Sequence, residues 1–200
     1  MADKDKKKKE KEKLGWKKGT VMYLHDWLFL LIGIFLAFLL VFRVIVVSGD
    51  SMFSTLWDGD YLLLLSNVFY QEPERGDIVV VSKQSFDDGE PIIKRVIATE
   101  GQTVDIDFEK GIVYVDGQAL QEPYIHTLTT NPEGVAFPLT VEENCIFALG
   151  DNRGVSRDSR SPEIGQIDRR EILGKALVLM LPGTHHGQLA ADYSRIGVVK

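Results

Sequence analysis

The sequence predicts a mainly β protein, in which one membrane-spanning helix near the N-terminus is followed by an all-β domain. A long apolar run precedes residue 48, and short aliphatic runs separated by turn residues follow it, with few helical periods. Closely spaced strands of this kind are typical of all-β domains. We expect four segments. They are a lysine-rich tail (1–26), a transmembrane helix (27–47), a β domain (48–182) and a C-terminal tail (183–200).

The N-terminal tail differs in charge from the rest of the chain. Residues 1–26 contain nine lysines and five acidic residues, whereas the whole chain has a net charge of -6. A segment as charged as residues 4–18 buries little apolar surface, so we expect it to be disordered. The remainder is acidic and offers no basic stripe, which argues against a nucleic-acid partner.

The apolar run that follows predicts a membrane anchor. Residues 27–42 contain no charge, and apolar character resumes after Arg43. As one helix, residues 27–47 would be roughly 31 Å long, which matches a bilayer core. The preceding lysines place the N-terminus in the cytoplasm and the rest of the chain outside. A cleaved secretory signal would have a shorter core and a better cleavage site than Val47-Ser48-Gly49, and a buried core helix would show a polar stripe.

After residue 48, the pattern changes to short strands and turns. The runs rich in β-branched and aliphatic residues are bounded by Asp-Gly and similar turn signals. Residues 121–140 contain three prolines and are predicted to be a loop. The predicted strands are 61–65, 78–81, 91–98, 104–108, 112–115, 145–149 and 172–181.

Cysteine and histidine offer little for metal or redox chemistry. Cys145 is the single cysteine, so an intrachain disulfide is impossible. His185 and His186 are adjacent in sequence and badly placed to share a metal, while His25 and His126 have no evident partners. We therefore expect no metal, no cofactor and no histidine base.

Residues 48–56 are the first of three stretches that carry chemistry. Ser51 follows Gly49 in a short turn that can expose one hydroxyl. Without structural context, the same pattern fits a solvated or capping serine. This stretch alone leaves both interpretations open.

The second stretch is the strand predicted at residues 91–98. Lys94 would share one face of that strand with Ile92 and Val96. Arg95 would point to the opposite face. Desolvation among branched aliphatic side chains favours a neutral lysine, which can accept a proton. The alternative is an edge strand whose basic side chains discourage aggregation.

The third stretch is a turn-rich loop at residues 150–160. It contains two carboxylates, three guanidinium groups and two serine hydroxyls. Such a loop can build a rigid network of hydrogen bonds and ion pairs around a site. A solvated charged loop is the alternative interpretation.

Four motifs follow one another along the chain. They are Ser51-Met52 with Thr55-Leu56, Arg75-Gly76-Asp77-Ile78-Val79, Ile93-Lys94-Arg95-Val96, and Gly150-Asp151-Asn152-Arg153 continuing to Ser156, Asp158, Ser159 and Arg160. Over roughly residues 25–182 the chain resembles the bacterial type I signal peptidases, or leader peptidases. Its length and its apolar N-terminal segment are similar to those of the short, single-span members of Gram-positive bacteria.

The resemblance implies a membrane-bound serine endopeptidase that removes signal peptides by a Ser–Lys dyad. Ser51 would be the nucleophile, with its backbone N–H in the oxyanion hole, and Lys94 would be the general base. Ser156 would hydrogen-bond and orient the Lys94 amine. The supporting ion-pair network would consist of Arg95, Asp151, Asp158 and Arg160.

The substrate implied by the resemblance is a secreted preprotein with small residues before the cut, bound in extended form against a strand edge. Val47 and Ile93 are the expected pocket walls, because they lie near Ser51 and Lys94 in sequence. The expected partners are secreted preproteins and the lipid bilayer, without nucleic acid or metal. The protein would span the cell membrane once, with its catalytic domain outside.

Two positions depart from the family pattern. Ser54 stands where proline is usual, which leaves the turn less constrained. Gly49 stands where many members have a serine that contributes to the oxyanion hole, so we expect the hole to rely on backbone donors. Ser51 and Lys94 are both present, so the catalytic pair is complete.

Two other functions fit part of the pattern. A membrane-anchored β domain could bind exported proteins without cutting them, and Ser54 is the feature that favours it. A Ser–Lys hydrolase of the self-cleaving repressor type would need a DNA-binding module, but this chain has an apolar segment in that position.

Overall fold

The computed structural model describes residues 2–184 and 190–199, with side chains from residue 19 onwards except at residue 87. Its backbone forms one long helix, α1 (Ala2–Val41), followed by short strands. The strands are β1 (Phe42–Val46), β2 (Tyr61–Ser66), β3 (Ile78–Ser82), β4 (Pro91–Thr99), β5 (Thr103–Asp107), β6 (Ile112–Val115), β7 (Gln118–Ala119), β8 (Leu139–Thr140), β9 (Cys145–Leu149), β10 (Ile167–Asp168), β11 (Ile172–Leu181) and β12 (Gly197–Val198).

The chain divides into two compact units, Met1–Val41 and Phe42–Lys200. The first unit is α1, in which Gly19–Val41 has a mean hydropathy of 2.3 and is long and apolar enough to cross a membrane. The expectation that residues 4–18 are disordered is wrong, because they continue α1. Lysine and glutamate both have high helix propensity, so their charge is compatible with a helix.

The helix ends six residues before the predicted boundary at residue 47. Val41 is its last residue, and Phe42–Val46 form β1 instead. This segment contains β-branched residues, which favour strands. It pairs antiparallel with β2 along its whole length, from Phe42↔Leu65 to Val46↔Tyr61. The hydrogen bonds to β2 thus replace those of a longer helix.

The C-terminal segment also differs from the predicted arrangement. Residues 190–199 were expected to be part of a tail, but β12 pairs with β11 through Val178↔Val198. Val199 packs against a core cluster whose buried strand residues come from β2, β3, β4 and β11. The predicted histidine pair, His185 and His186, lies outside the described residues.

The strands of the second unit form two antiparallel sheets, which confirms the predicted all-β class. In the described part of the chain, the larger sheet has the order β1-β2-β11-β3-β4-β9-β10, with β12 also paired to β11. The smaller sheet has the order β7-β6-β5-β8. The seven predicted strands are all present, and their boundaries agree to within one residue.

Strand β4 lies between β3 and β9 in the larger sheet, and Lys94 and Arg95 are only 3% and 2% exposed, so the alternative of solvated basic side chains on an edge strand is wrong. Along β3, Val79 is opposite Lys94. Along β9, the register begins at Arg95↔Leu149. Within the described residues, positions 91–94 therefore have no ladder partner on the β9 side. This leaves a short free strand edge at residues 91–94, which ends with Lys94.

Candidate active site

Ser51 lies in a tight turn that is anchored by buried neighbours. The side chains of Met52 and Leu56 are buried in a core cluster with residues of β2, β3, β4 and β11. The backbone N–H of Leu56 donates to the Met52 carbonyl at 2.9 Å, and that of Phe53 donates to the Asp50 carbonyl at 3.1 Å. Burying two large apolar side chains stabilises the turn by roughly 1.5–3 kcal/mol each, and the turn leaves Ser51 half-buried.

The two ends of the segment that bears Ser51 are joined by backbone hydrogen bonds. The N–H of Val47 donates to the Asp60 carbonyl at 2.8 Å, and the N–H of Gly59 donates to the Val47 carbonyl at 2.9 Å. Gly49 donates its N–H to the Asp58 carboxylate at 2.8 Å. Its φ of +82° favours glycine at this position. Residues 47–60 thus form a closed loop that carries the serine.

The amine of Lys94 lies 3.1 Å from the Ser51 hydroxyl oxygen. Lys94 is only 3% exposed, and its burial lowers its pKa from 10.5 to about 8. Carboxylates at Asp158 and Glu133 act in the opposite direction but do not cancel the effect of desolvation. A buried amine with this pKa is partly neutral near neutral pH and can accept a proton from the adjacent hydroxyl.

The loop after β9 touches the Ser51 turn through its backbone. Asn152 donates its N–H to the Ser51 carbonyl at 3.0 Å and its side-chain amide to the Asp50 carbonyl at 3.1 Å. A Cβ added at Gly150 would overlap the Ser51 carbonyl and the Ser156 hydroxyl. Glycine therefore permits the close approach of the loop to the turn.

Arg95, next to Lys94 on β4, is paired with Asp151. Its Nε and Nη2 donate to the two carboxylate oxygens at 2.8 and 2.7 Å, and both side chains are buried. Its third nitrogen donates to the Gly76 carbonyl at 3.0 Å, and its guanidinium lies 4.0 Å from the Tyr124 ring centroid. Thr55 donates its hydroxyl to the same Asp151 carboxylate at 2.5 Å. This pair connects β4 with the loop and with the Ser51 turn.

A second buried ion pair lies within the loop. Arg160 donates through Nε and Nη2 to Asp158 at 2.8 and 2.9 Å, and Asp158 also accepts the N–H of Gly150 at 3.1 Å. Arg160 is 3.1 Å from the Glu133 carboxylate, and burial raises the pKa of that carboxyl. The four predicted supporting residues thus form two ion pairs around the Ser51–Lys94 contact.

Ser156 is buried near this contact, but its hydroxyl does not bond to Lys94. It donates to the Arg157 carbonyl at 3.4 Å. Within the described residues, the polar contact of the Lys94 amine is with Ser51. The structure therefore brings together the two predicted catalytic residues and the four ion-pairing residues, and it places Ser156 beside them without the predicted hydrogen bond.

A cavity of about 380 Å³ opens beside the serine. Val47 and Ile93, the two predicted wall residues, both line it, together with Ser51 and Lys94. The free edge at residues 91–94 lies along this cavity, and so do Ile45 and Val46 of the terminal strand β1. The cavity can therefore offer backbone hydrogen bonds as well as side-chain contacts.

Sequence reasoning missed the carboxylates that residues 121–140 bring to the site. Glu122 pairs with the buried Arg153 at 2.5 Å, and Glu133 pairs with Arg160. Arg153 also donates to the Thr129 hydroxyl at 2.5 Å. The one signal in the sequence was an excess of arginines in residues 150–160, which had to find acidic partners elsewhere.

Among the described residues, no group of three or more histidine, cysteine, aspartate or glutamate side chains is placed to hold a metal ion. His126 packs edge-on against Phe53, with ring centroids 4.8 Å apart. His25 is 3.3 Å from Asp26. Within the described part of the second unit, the polar contact of the Lys94 amine is with Ser51 and not with His126.

Comparisons with known proteins agree with the resemblance. The family model for signal peptidase, peptidase S26, matches residues 21–181. A probable signal peptidase I-1 of Synechocystis sp. is 38% identical over 173 residues, which cover 81% of this chain and 84% of its own. Signal peptidase I T of Bacillus subtilis is 32% identical over 177 residues, covering 83% and 89%. A crystal structure of a signal peptidase I from Enterococcus faecalis aligns with 52% of this chain and 96% of its own, at 30% identity and a TM-score of 0.44.

Proposed function

Because the chain belongs to the signal peptidase family, peptidase S26, we propose that it removes signal peptides from secreted preproteins with Ser51 as nucleophile and Lys94 as general base. The observation that carries this proposal is the 3.1 Å contact between the Lys94 amine and the Ser51 hydroxyl oxygen. The lowered pKa of Lys94, about 8, supports its role as base. Among the described residues, the group that contacts the Ser51 hydroxyl is the Lys94 amine and not a histidine ring.

In the proposed reaction, Ser51 attacks the scissile carbonyl carbon while its hydroxyl proton passes to the neutral Lys94 amine. Lys94 then gives that proton to the departing amine of the mature protein, which leaves the signal peptide as an ester on Ser51. A water molecule attacks this ester with Lys94 again as base. The acid product is released, and the Ser51 hydroxyl is restored.

The backbone N–H of Ser51 is the donor that we propose for the developing oxyanion. Among the described residues, it donates no internal hydrogen bond, so it is free to bind a substrate oxygen. In other acyl-transfer enzymes, one oxyanion donor contributes roughly 3 kcal/mol to the transition state. Gly49 has no side chain to contribute to the oxyanion hole, and its own N–H is already donated to Asp58. The proposed hole therefore relies on the backbone N–H of Ser51.

The surrounding polar residues would hold the dyad rather than touch the substrate. Arg95 and Asp151 brace β4 against the Ser51 turn through Thr55. Asp158 and Arg160 brace the loop after β9 through Gly150. We propose that Ser156 orients the Lys94 amine. Its hydrogen bond to the Arg157 carbonyl is long, at 3.4 Å, so its hydroxyl can rotate and donate to the neutral amine instead.

The substrate would bind in extended form along the cavity. The free edge at residues 91–94 and the terminal strand β1 both offer backbone groups to such a peptide. Val47 and Ile93 would then limit the size of substrate residues before the cut. We expect Ile93→Phe to lower cleavage of Ala-x-Ala substrates at least tenfold, because the ring reduces the space beside Ser51. Equal rates for wild type and variant would remove Ile93 from the pocket.

The candidate span in α1 fits a single-pass protein of the cell membrane. The lysines that precede the span favour a cytoplasmic N-terminus and an extracytoplasmic catalytic domain. Secreted preproteins and the bilayer are the proposed partners. Neither metal nor nucleic acid enters the proposed reaction.

The test is cleavage of a preprotein with an Ala-x-Ala site by the full chain in detergent or liposomes. Wild type is expected to cut it in the presence of EDTA, while Ser51→Ala and Lys94→Ala are folded but inactive. The exposed residues Ser85 and Lys110 supply matched controls, and their alanine variants should keep full activity. An inactive wild type that still binds the preprotein would favour a non-cleaving domain for exported proteins. Activity in Ser51→Ala would show that another residue is the nucleophile.

A further inference from the structure

The C-terminal segment at residues 190–199 lies beyond the stretch that the family model matches, yet it contacts the loop that bears Ser51. Arg195 makes this contact. Its Nη1 and Nη2 donate to the two carboxylate oxygens of Asp60 at 3.0 and 2.6 Å. Nη2 also donates to the Thr55 carbonyl at 3.3 Å, and the guanidinium lies 3.8 Å from the centroid of a Trp57 ring.

Asp60, the partner of Arg195, is completely buried. Its carboxylate also accepts the backbone N–H of Trp57 at 2.8 Å and that of Gly183 at 2.7 Å. One carboxylate thus ties together three segments of the chain, and Arg195 supplies two of its four donors. A buried carboxylate that loses such a partner is left with an uncompensated desolvation cost, so the arrangement around Asp60 depends on the guanidinium.

The segment that presents Arg195 is itself held in place. Asp192 caps the short turn Tyr193–Arg195 by accepting the backbone N–H of Ser194 at 3.0 Å. After Arg195, β12 pairs with β11. The backbone on both sides of Arg195 is therefore fixed, and its guanidinium contacts the loop at residues 54–60.

Thr55 connects this contact with the catalytic pair. Its carbonyl accepts from Arg195, while its hydroxyl donates to Asp151, the partner of Arg95. Thr55 lies four residues after Ser51 in the same closed loop. The loop is thus held on one side by the network next to Lys94 and on the other side by the C-terminal arginine.

From these contacts we propose that Arg195 is a positioning residue for Ser51. It keeps residues 54–60 in the arrangement that holds the Ser51 hydroxyl within reach of the Lys94 amine. The inference rests on the proposed function in that the hydroxyl must react. It extends that function to a part of the chain outside the family match, and it makes the C-terminal segment a component of the active-site support.

The test compares Arg195→Ala and Arg195→Lys with wild type in the full chain, at a temperature where circular dichroism shows each to be folded. A small misplacement of reacting groups costs up to about a hundredfold in rate. We expect Arg195→Ala to lower kcat about tenfold, with KM within twofold. Lysine should not restore it, because it lacks the planar fork that binds Asp60 and stacks on Trp57. Low millimolar guanidinium should recover part of the lost activity in Arg195→Ala.

Arg170 offers the matched control. It also forms a two-point pair with an aspartate, Asp168, at 2.9 and 2.6 Å, but it is exposed and distant in the fold from the Ser51 loop. Arg170→Ala should keep wild-type kcat and show no response to guanidinium. An Arg195→Ala variant with a lower melting temperature and an unchanged kcat would overturn the inference, because Arg195 would then act on stability alone.

Amide hydrogen exchange separates this inference from the proposed function. Arg195→Ala should speed exchange at Leu56 and Trp57, whose N–H groups are bonded within the loop, whether or not the protein cleaves. If Arg195→Ala exchanges faster than wild type but wild type does not cleave the preprotein, the proposed function is overturned and the contact of Arg195 is supported. Unchanged exchange together with cleavage by wild type would overturn the role of Arg195 and leave the proposed function intact.

Discussion

Two neighbouring basic residues on β4, Lys94 and Arg95, are equally buried and differently surrounded. They are 3% and 2% exposed. Arg95 faces the Asp151 carboxylate at 2.7 and 2.8 Å, whereas the polar contact of Lys94 is a neutral hydroxyl. The buried guanidinium of Arg95 thus has a carboxylate partner, whereas burial beside a neutral hydroxyl lowers the pKa of Lys94 to about 8. Two side chains of equal burial on one strand therefore meet different electrostatic surroundings.

Arg153 and Arg160 are also buried and, like Arg95, each is paired with a carboxylate. Arg153 is paired with Glu122, and Arg160 is paired with Asp158. Breaking such a pair leaves an uncompensated charge in a poorly solvated site, which is strongly destabilising. Within the part of the chain that the structure describes, Lys94 forms no ion pair, and its amine contacts the Ser51 hydroxyl. We therefore expect substitutions on the two sides of β4 to have opposite effects.

The largest expected effect is the loss of activity on replacing Lys94 by arginine. A guanidinium stays protonated in proteins and cannot serve as base, and general-base catalysis contributes about 10²- to 10⁴-fold. We expect Lys94→Arg to lower kcat by this range in a preprotein cleavage assay. Lys110→Arg, at an exposed turn, is the control and should leave kcat unchanged. A Lys94→Arg enzyme with near-normal kcat would contradict a neutral base at this position.

The next effect concerns the stability of the Arg95 side. Asp151→Asn would leave the Arg95 guanidinium buried without its counter-charge, which costs roughly 3–5 kcal/mol. We expect the midpoint of urea unfolding in detergent to fall accordingly. Asp168→Asn, at an exposed pair with Arg170, should change the midpoint little. Equal effects of the two variants would show that the buried pair has no special role in stability.

On the Lys94 side of β4, we expect removal of the buried amine to increase stability, by a smaller amount than Asp151→Asn decreases it. The folded pKa of Lys94 is about 8, against 10.5 for the free side chain. Below pH 8, both folded and unfolded states carry the proton, and the folded state bears the full desolvation cost. We expect Lys94→Met to raise the free energy of unfolding at pH 7 by about 3 kcal/mol, from the 2.5-unit shift in pKa.

The same linkage gives that gain a definite pH dependence. Between pH 8 and pH 10.5 the unfolded state binds more protons than the folded state, so wild-type stability rises with pH. The advantage of Lys94→Met should therefore shrink over this window and vanish above it. Urea unfolding at pH 7, 9 and 10.5 measures the trend. A variant that is less stable than wild type at pH 7 would contradict an unpaired, desolvated lysine.

The smallest effect is the pH dependence of wild-type cleavage. At pH values below the pKa of Lys94, the neutral fraction of its amine rises about tenfold for each unit by which the pH increases. We expect kcat/KM to rise with pH and to level off above about pH 8. The measurement is initial rates of preprotein cleavage over pH 6 to 9.5 in buffers of constant ionic strength. A flat profile through this range would contradict titration of Lys94 as base.

Local sequence pattern by itself determined the fold class and the strands of this protein. The β-branched runs and turn residues predicted seven strands to within one residue. The order of the four motifs carried the resemblance to the family, and that resemblance implied the pairing of Ser51 with Lys94, whose side chains are in contact. These properties depend on backbone preference and on short motifs, which are readable along the chain.

Tertiary structure decided what depends on long-range pairing. The helix ends at Val41 because the next five residues find β2 as a partner, and the pairing of Arg153 with Glu122 joins residues that are 31 positions apart. Arg195 reaches Asp60 across 135 positions. Hydropathy and charge patterns do not specify such contacts, because the register of the sheets selects which of many possible counter-charges each arginine meets.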